Sequence, residues 1–321
     1  MPGVDGPFAC FAVMGLVRER SEESPLRDDL DITRKTIAAA IAMARAQKPA
    51  YNELCDLLEP LFILQSEVLQ TVRLKPISMT RSDAENKWKE GIPLLKRWDF
   101  PLDIQSAEAV LDGVKLHIPT ANVPLSGAQG ALNRALEIHP AQKEAIWESF
   151  LQHEFEPWEE WVDAGETDAA SLLFLARSCL RPSIEWTAMD LVERCPVPKE
   201  WLRGYCPVCG SLPSLLYLMG EGERLARCSW CGASWNLYRF QCPFCDNRHH
   251  DSLGYLYVEE EPRNRIQYCQ SCKNYFKLLD VRERFDPPFG PLEEWITLHL
   301  DILAQRAGWQ QPPSPSPAVY G

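Results

Sequence analysis

The sequence predicts an α+β protein: an all-helical N-terminal domain, two small β modules each held by cysteines, and a C-terminal helix. Three observations carry this. Helix formers at helical spacing dominate residues 1–195. Eight cysteines then fall as four C-x-x-C pairs inside the 67 residues 206–272. The segments between the pairs are short, alternate in polarity and end in turn residues.

With 321 residues and 45% apolar content, the chain is long enough for two or three globular domains. Its formal net charge of −12 argues against general affinity for nucleic acid or anionic membranes. The charge is uneven, because residues 201–286 hold 11 Lys/Arg against 10 Asp/Glu. No run reaches the ~18–20 apolar residues of a membrane span. The apolar patch Phe8–Val17 has no basic segment before it and no A-x-A site after it. It reads as a buried segment, or an extension from an upstream start codon, rather than a cleaved signal. The chain therefore reads as cytoplasmic. Thiols persist in that compartment, so C-x-x-C pairs point to metal or redox chemistry before disulfides.

The elements follow in order. Thr33–Gln47 is an Ala-rich helix that Pro49 breaks. Leu54, Leu57, Leu58, Leu61, Leu64 and Val68 recur at helical spacing in a second helix, with a bend expected at Pro60. Residues 76–130 read as less regular, with Pro93, Pro101, Pro119 and Pro124 marking turns. Helices resume over 141–155 and 166–193, the latter expected to split at Pro182. Together these make a helical domain, 1–195. Residues 196–204 are a Pro/Gly linker. The first β module, a rubredoxin-like or zinc-ribbon unit, spans 205–240 and the second 241–286, each with its own hairpin. A helix over 287–309 begins near Pro291, has Glu293 and Glu294 in its first turn and Arg306 in its last, and stops at Gly308. Residues 310–321 are Pro/Ser-rich and read as a disordered tail.

The cysteine pairs are Cys206/Cys209, Cys228/Cys231, Cys242/Cys245 and Cys269/Cys272. One C-x-x-C turn presents two sulfurs on one side of a tight loop, and a tetrahedral ion takes four, so two turns close one site. A residue tolerant of positive φ suits the position after the second cysteine. Gly210, Gly232 and Asp246 fit there, while Lys273 departs from the pattern. Sequential pairing puts Cys206, Cys209, Cys228 and Cys231 in one site and Cys242, Cys245, Cys269 and Cys272 in the other. The intervening gaps of 18 and 23 residues are zinc-ribbon-like, the second slightly long. A cross-braced pairing, first with third and second with fourth, is the alternative. Four thiolates suit zinc or a rubredoxin-like iron equally, and spacing does not separate them. Each filled site would carry about −2 formal charge, which removes the segment's slight basic balance.

His249 and His250 follow a complete pair and read as loop residues. Cys10, Cys55, Cys179 and Cys195 are isolated and read as core or linker thiols. Trp230 and Phe244 lie inside C-x-x-C turns. They either shield the sulfurs or stand out as anchors for a partner. Arg203, Trp235, Arg239, Tyr275 and Lys277 flank the turns and form, with those two, a candidate partner-binding set; strand packing and surface charge are their plainer reading. Acidic residues such as Glu154, Glu156, Glu159 and Glu160 read as a solvated helix face. There is no G-x-S-x-G, P-loop or G-x-G-x-x-G, and so no sign of an enzyme.

The stretches WLRGYCPVCGSLP, LARCSWCGASWNLYRFQCPFC, YCQSCKNYFKLLD and EEWITLHLDILAQRAGW, with AQKPAYNELCDLLEPLFILQ upstream, resemble the FdhE family of formate dehydrogenase accessory proteins. The resemblance implies a cytoplasmic maturation factor that contacts the catalytic subunit of formate dehydrogenase. It also implies two rubredoxin-like sites on the eight cysteines. Two other functions stay open at this point: a rubredoxin-like iron redox protein and a nucleic-acid-binding zinc ribbon.

Overall fold

The computed structural model describes residues 27–116, 123–152, 162, 167–284 and 288–312. The patch at 8–17 with Cys10, the acidic run from Glu154 to Glu160 and the tail from 313 lie outside the described residues. The chain forms two compact units. One comprises residues 27–77 and 96–190, the other 78–95 and 191–312 among the described residues.

The first unit is helical. Its elements are α1 (Arg27–Gln47), α2 (Asn52–Leu69), α4 (Ile104–Val114), α5 (Val123–Ile138), α6 (Lys143–Gln152) and most of α7 (Ala169–Arg194). Helix α1 packs on α2, α2 on α4, and α6 on α4 and α5. The shared interior includes Ile37, Ile41, Leu58, Leu111, Leu132 and Trp147. Two expectations are corrected. The described part of 76–130 is more regular than expected, holding α3 (Arg81–Glu90), α4 and the start of α5. Helix α7 is also not split, but runs unbroken through Pro182. A proline withholds the N–H that would reach the carbonyl four residues back, here that of Ser178. The Gln65 amide from α2 donates to that carbonyl instead, at 2.8 Å. The defect is satisfied from a neighbouring helix and α7 continues.

The second unit is built on one sheet. Strands β1 (Pro213–Met219), β2 (Glu223–Cys228) and β3 (Ser234–Leu237) form an antiparallel meander. Strands β4 (Leu253–Tyr257), β5 (Asn264–Cys269) and β6 (Tyr275–Asp280) form a second one. The two β modules do not stand apart: β1 pairs in parallel with β6, giving a six-stranded sheet of order β3-β2-β1-β6-β5-β4. The C-terminal helical segment is interrupted at Thr297 into α8 (Gly290–Ile296) and α9 (Leu298–Arg306). Thr297 Oγ1 donates to the Glu293 carbonyl at 2.5 Å, a side-chain bond that competes with the regular ladder. Leu300 and Ala304 of α9 pack with Ile266 and Tyr275 of the sheet. Gln310 pairs with the Lys273–Tyr275 backbone, so order extends beyond the expected helix end.

Helix α3 belongs to this second unit. It starts at a reciprocal cap between Thr80 and Asp83 and ends at Gly91 in the left-handed region. Its Trp88 indole donates to the Pro207 carbonyl at 3.0 Å, and the N–H groups of Leu94 and Leu95 donate to the carbonyls of Pro207 and Val208. The turn holding Cys206 and Cys209 is thereby covered by residues 88–95.

Candidate metal centres

Each C-x-x-C pair occupies the same local turn. The N–H of the first cysteine donates to the carbonyl five residues on, as in Cys206 to Ser211, Cys228 to Ala233, Cys242 to Asn247 and Cys269 to Asn274. The residue after the second cysteine has positive φ in all four: Gly210 at 74°, Gly232 at 73°, Asp246 at 56° and Lys273 at 63°. Lys273 therefore adopts the conformation that its side chain disfavours, and its turn matches the others. Backbone N–H groups of Val208 and Trp230 point at the sulfurs of Cys206 and Cys228, at 3.4 and 3.3 Å.

These turns gather the sulfurs by sequential pairing. Cys206, Cys209, Cys228 and Cys231 form one group and Cys242, Cys245, Cys269 and Cys272 the other, with all sulfurs of a group within 4.8 Å of one another. Cross-bracing is excluded. The S···S distances between paired turns are 3.6 and 3.4 Å in the first group and 3.6 and 3.7 Å in the second. Disulfide sulfurs would lie at about 2.05 Å. Sulfurs around a tetrahedral ion at about 2.3 Å would lie about 3.8 Å apart. The donor set and its spacing fit a divalent metal.

The electrostatics fit as well. Burial pushes the Cys206 and Cys231 thiols well up. Burial also opposes ionisation of Cys209, yet hydrogen bonds from the neighbouring thiols and Ser211 hold it well below the ordinary thiol range. In the second group burial raises Cys242. Cys269 is instead brought down to about 6: burial works against this, but the Asn247 amide and the N–H groups of Cys272 and Ser271 outweigh it. Four sulfurs this close cannot all ionise by themselves, and a central cation removes that conflict.

The other singled-out residues separate by burial. Trp235 is fully buried, its indole donating to the Arg203 carbonyl at 2.8 Å. Tyr275 and Lys277 are buried too. Both bond Asp301 of α9 at 2.9 Å, and Lys277 also bonds the Glu294 carbonyl at 2.8 Å. As a surface set these three are corrected: they fasten the sheet internally. Arg203, Arg239 and Phe244 are exposed and Trp230 is half-buried. Sequence reasoning passed over Tyr238 and Phe240, which are exposed beside them. Arg248 lies 4.0 Å over the Tyr238 ring and Arg239 5.8 Å over Phe240. It also passed over Arg224, whose buried guanidinium donates to the carbonyls of Tyr238 and Gln241 and to the Gln267 side chain, tying β2 to β5. His249 and His250 lie outside both sulfur groups, as do the buried thiols of Cys55, Cys179 and Cys195.

No described helix is long and apolar enough to cross a membrane. No protein-family model matches the chain. It is 28% identical over 278 residues to an FdhE homologue of Aquifex aeolicus, covering 84% of this chain and 89% of that one. It is 36% identical over 110 residues to an FdhE homologue of Haemophilus influenzae, and 30% identical over 113 residues to FdhE of Escherichia coli. Each of those two matches spans 33% of this chain and 35% of the relative. The crystal structure of the FdhE protein from Pseudomonas aeruginosa superposes with a TM-score of 0.63 at 19% identity, over 92% of this chain and 98% of that one. At that identity the likeness speaks for the fold. With a relative aligned along most of both chains, that fold and two four-cysteine groups, the chain is similar to FdhE proteins along most of its length.

Proposed function

We propose that this protein is a cytoplasmic accessory factor for formate dehydrogenase maturation. It binds the catalytic subunit of that enzyme and catalyses no reaction itself. The observation that carries the reading is the convergence of eight cysteines into two four-sulfur groups within one sheet, in a chain similar to FdhE proteins. In this reading all eight are metal ligands, holding iron or zinc. The ions stabilise the strand ends of a β unit in which one described apolar cluster joins Leu215, Tyr217, Leu225, Leu279 and Val281.

The contact surface is the aromatic and basic face at residues 238–248, with Trp230 beside the first centre. Exposed aromatics with arginines over their rings have the composition of interface hot spots. Affinity capture from the native host under anaerobic conditions, with metal analysis of the same fraction, tests both halves. The expected result is co-purified formate dehydrogenase catalytic subunit and two ions per chain. Phe244→Ala is expected to weaken capture about tenfold without metal loss. If a strain lacking the protein makes fully active formate dehydrogenase, the assignment fails.

A further inference from the structure

The two four-cysteine groups share their turns, their hydrogen bonds and their place at the strand ends, yet they differ in cover. In the first group Cys206, Cys209, Cys228 and Cys231 are each at most 2% exposed. Residues 88–95 seal the first turn through Trp88, Leu94 and Leu95. In the second group Cys242 and Cys269 are buried, but Cys245 is exposed and Cys272 half-buried. The third turn is approached on its inner side by the segment 202–204. Gly204 sits so close that a Cβ there would lie 1.8 Å from the Pro243 carbonyl oxygen, and the Gln241 amide donates to the Leu202 carbonyl at 2.9 Å. On the outer side Phe244, Cys245, Asp246 and Arg248 face solvent.

We propose that the two centres have different roles: the first is a closed, permanent structural site, and the second is an open site that exchanges ligands at Cys245. This rests on the metal reading above. The incoming group is a soft donor, a thiol or sulfide. An incoming thiol gives its proton to Cys245 and its sulfur takes the place of Cys245 in the coordination sphere. One metal–sulfur bond breaks and one forms, with no change of oxidation state. The other three cysteines keep the ion tethered. The first centre has no such opening, because a donor reaching Cys206 or Cys209 must first displace α3 and the segment that follows it.

The test uses the full reduced chain loaded with zinc. Iodoacetamide is added, zinc release is followed with a coloured chelator, and alkylated peptides are identified by mass spectrometry over time. One zinc per chain is expected to leave at least about tenfold faster than the other, since only the second centre is open without local unfolding. Alkylation of Cys245, then Cys272, should keep pace with it. In Cys245→Ser the fast zinc should be lost and the slow phase retained. Release of both ions in a single phase, or alkylation of the first centre as early as the second, overturns the inference. A reduced chain that takes up no zinc or iron overturns the metal reading beneath it, which is a different result from uniform release. The wild-type time course stands by itself if the variant does not fold.

Discussion

The bond from Gln65 to Ser178 explains how α7 passes a proline, and it can be broken in isolation. In Gln65→Leu the volume is nearly kept, but the Ser178 carbonyl loses its donor in a buried setting. A buried acceptor left unmade costs about 1–3 kcal/mol, so about 2 kcal/mol is expected. For a unit of this size that lowers the melting temperature by about 4–8 °C. Thermal unfolding followed by circular dichroism at fixed metal concentration measures it. The decisive comparison is made in Pro182→Ala, where the alanine N–H can reach the same carbonyl. In that background Gln65→Leu should cost less than about 0.5 kcal/mol, giving a coupling near ~1.5 kcal/mol in a double-mutant cycle. An equal loss in both backgrounds would mean that Gln65 serves packing alone, and the account of the unbroken helix would be wrong.

Other perturbations follow from the same geometry. Arg224→Met leaves the Gln267 side-chain oxygen without its cationic donor, while the Gln241 carbonyl keeps the Gln267 amide at 3.3 Å; a loss of about 2–4 kcal/mol in urea unfolding is expected. Burial pushes the Arg224 pKa down only to about 10, so it is a cation at neutral pH. Gly204→Ala drives a methyl into the Pro243 carbonyl and should lower zinc content from two ions toward one; an unchanged stoichiometry and melting curve would contradict the close approach. Lys273→Gly should raise stability by about 0.5–1 kcal/mol by relieving positive φ at 63°. Asp103 caps α4. Burial would raise its carboxyl, but N–H groups of Arg73 and Ser106 and the Ser106 hydroxyl hold it below the usual carboxylate range. Its contribution is therefore complete above about pH 4 and lost as pH falls through the folded-state value. The deficit of Asp103→Ala, about 1 kcal/mol at pH 7, should shrink toward zero in melts taken at pH 3.

Much of this was legible in the sequence because cysteine spacing and turn stereochemistry are local constraints. Two C-x-x-C turns separated by one hairpin leave few ways to gather four sulfurs, and Gly210 and Gly232 mark the exit from their turns. Lys273 was not legible, since the hydrogen bonds of the turn and the pairing of Gln310 impose a backbone that the residue does not prefer. Helix α3 was legible and overlooked: Thr80, Asp83 and Gly91 carry both caps, but the surrounding prolines outweighed them. The run through Pro182 was not legible, because its missing donor comes from Gln65, 113 positions before the acceptor Ser178. Long-range burial likewise decided Trp235, Tyr275 and Lys277. Their positions near the metal turns are visible in sequence, and the face on which they lie is not.

The parallel pairing of β1 with β6 has the largest consequence for function. Each module repeats one order: a C-x-x-C turn, two strands, a second C-x-x-C turn and a third strand. The first centre lies where β1 begins and β2 ends, since Pro213 pairs with Cys228. The second lies where β5 ends and β6 begins, since Tyr268 pairs with Tyr275. Because β1 and β6 run the same way, with Leu215 opposite Lys277, both beginnings fall at one end of the sheet. An antiparallel junction would have put the two centres at opposite ends. The fold thus presents two chemically identical cages side by side, and the segment 88–95 distinguishes them by closing one. The cysteines alone could not reveal this difference, because the cover comes from a distant part of the chain: Trp88 and the carbonyl it caps, that of Pro207, are 119 positions apart.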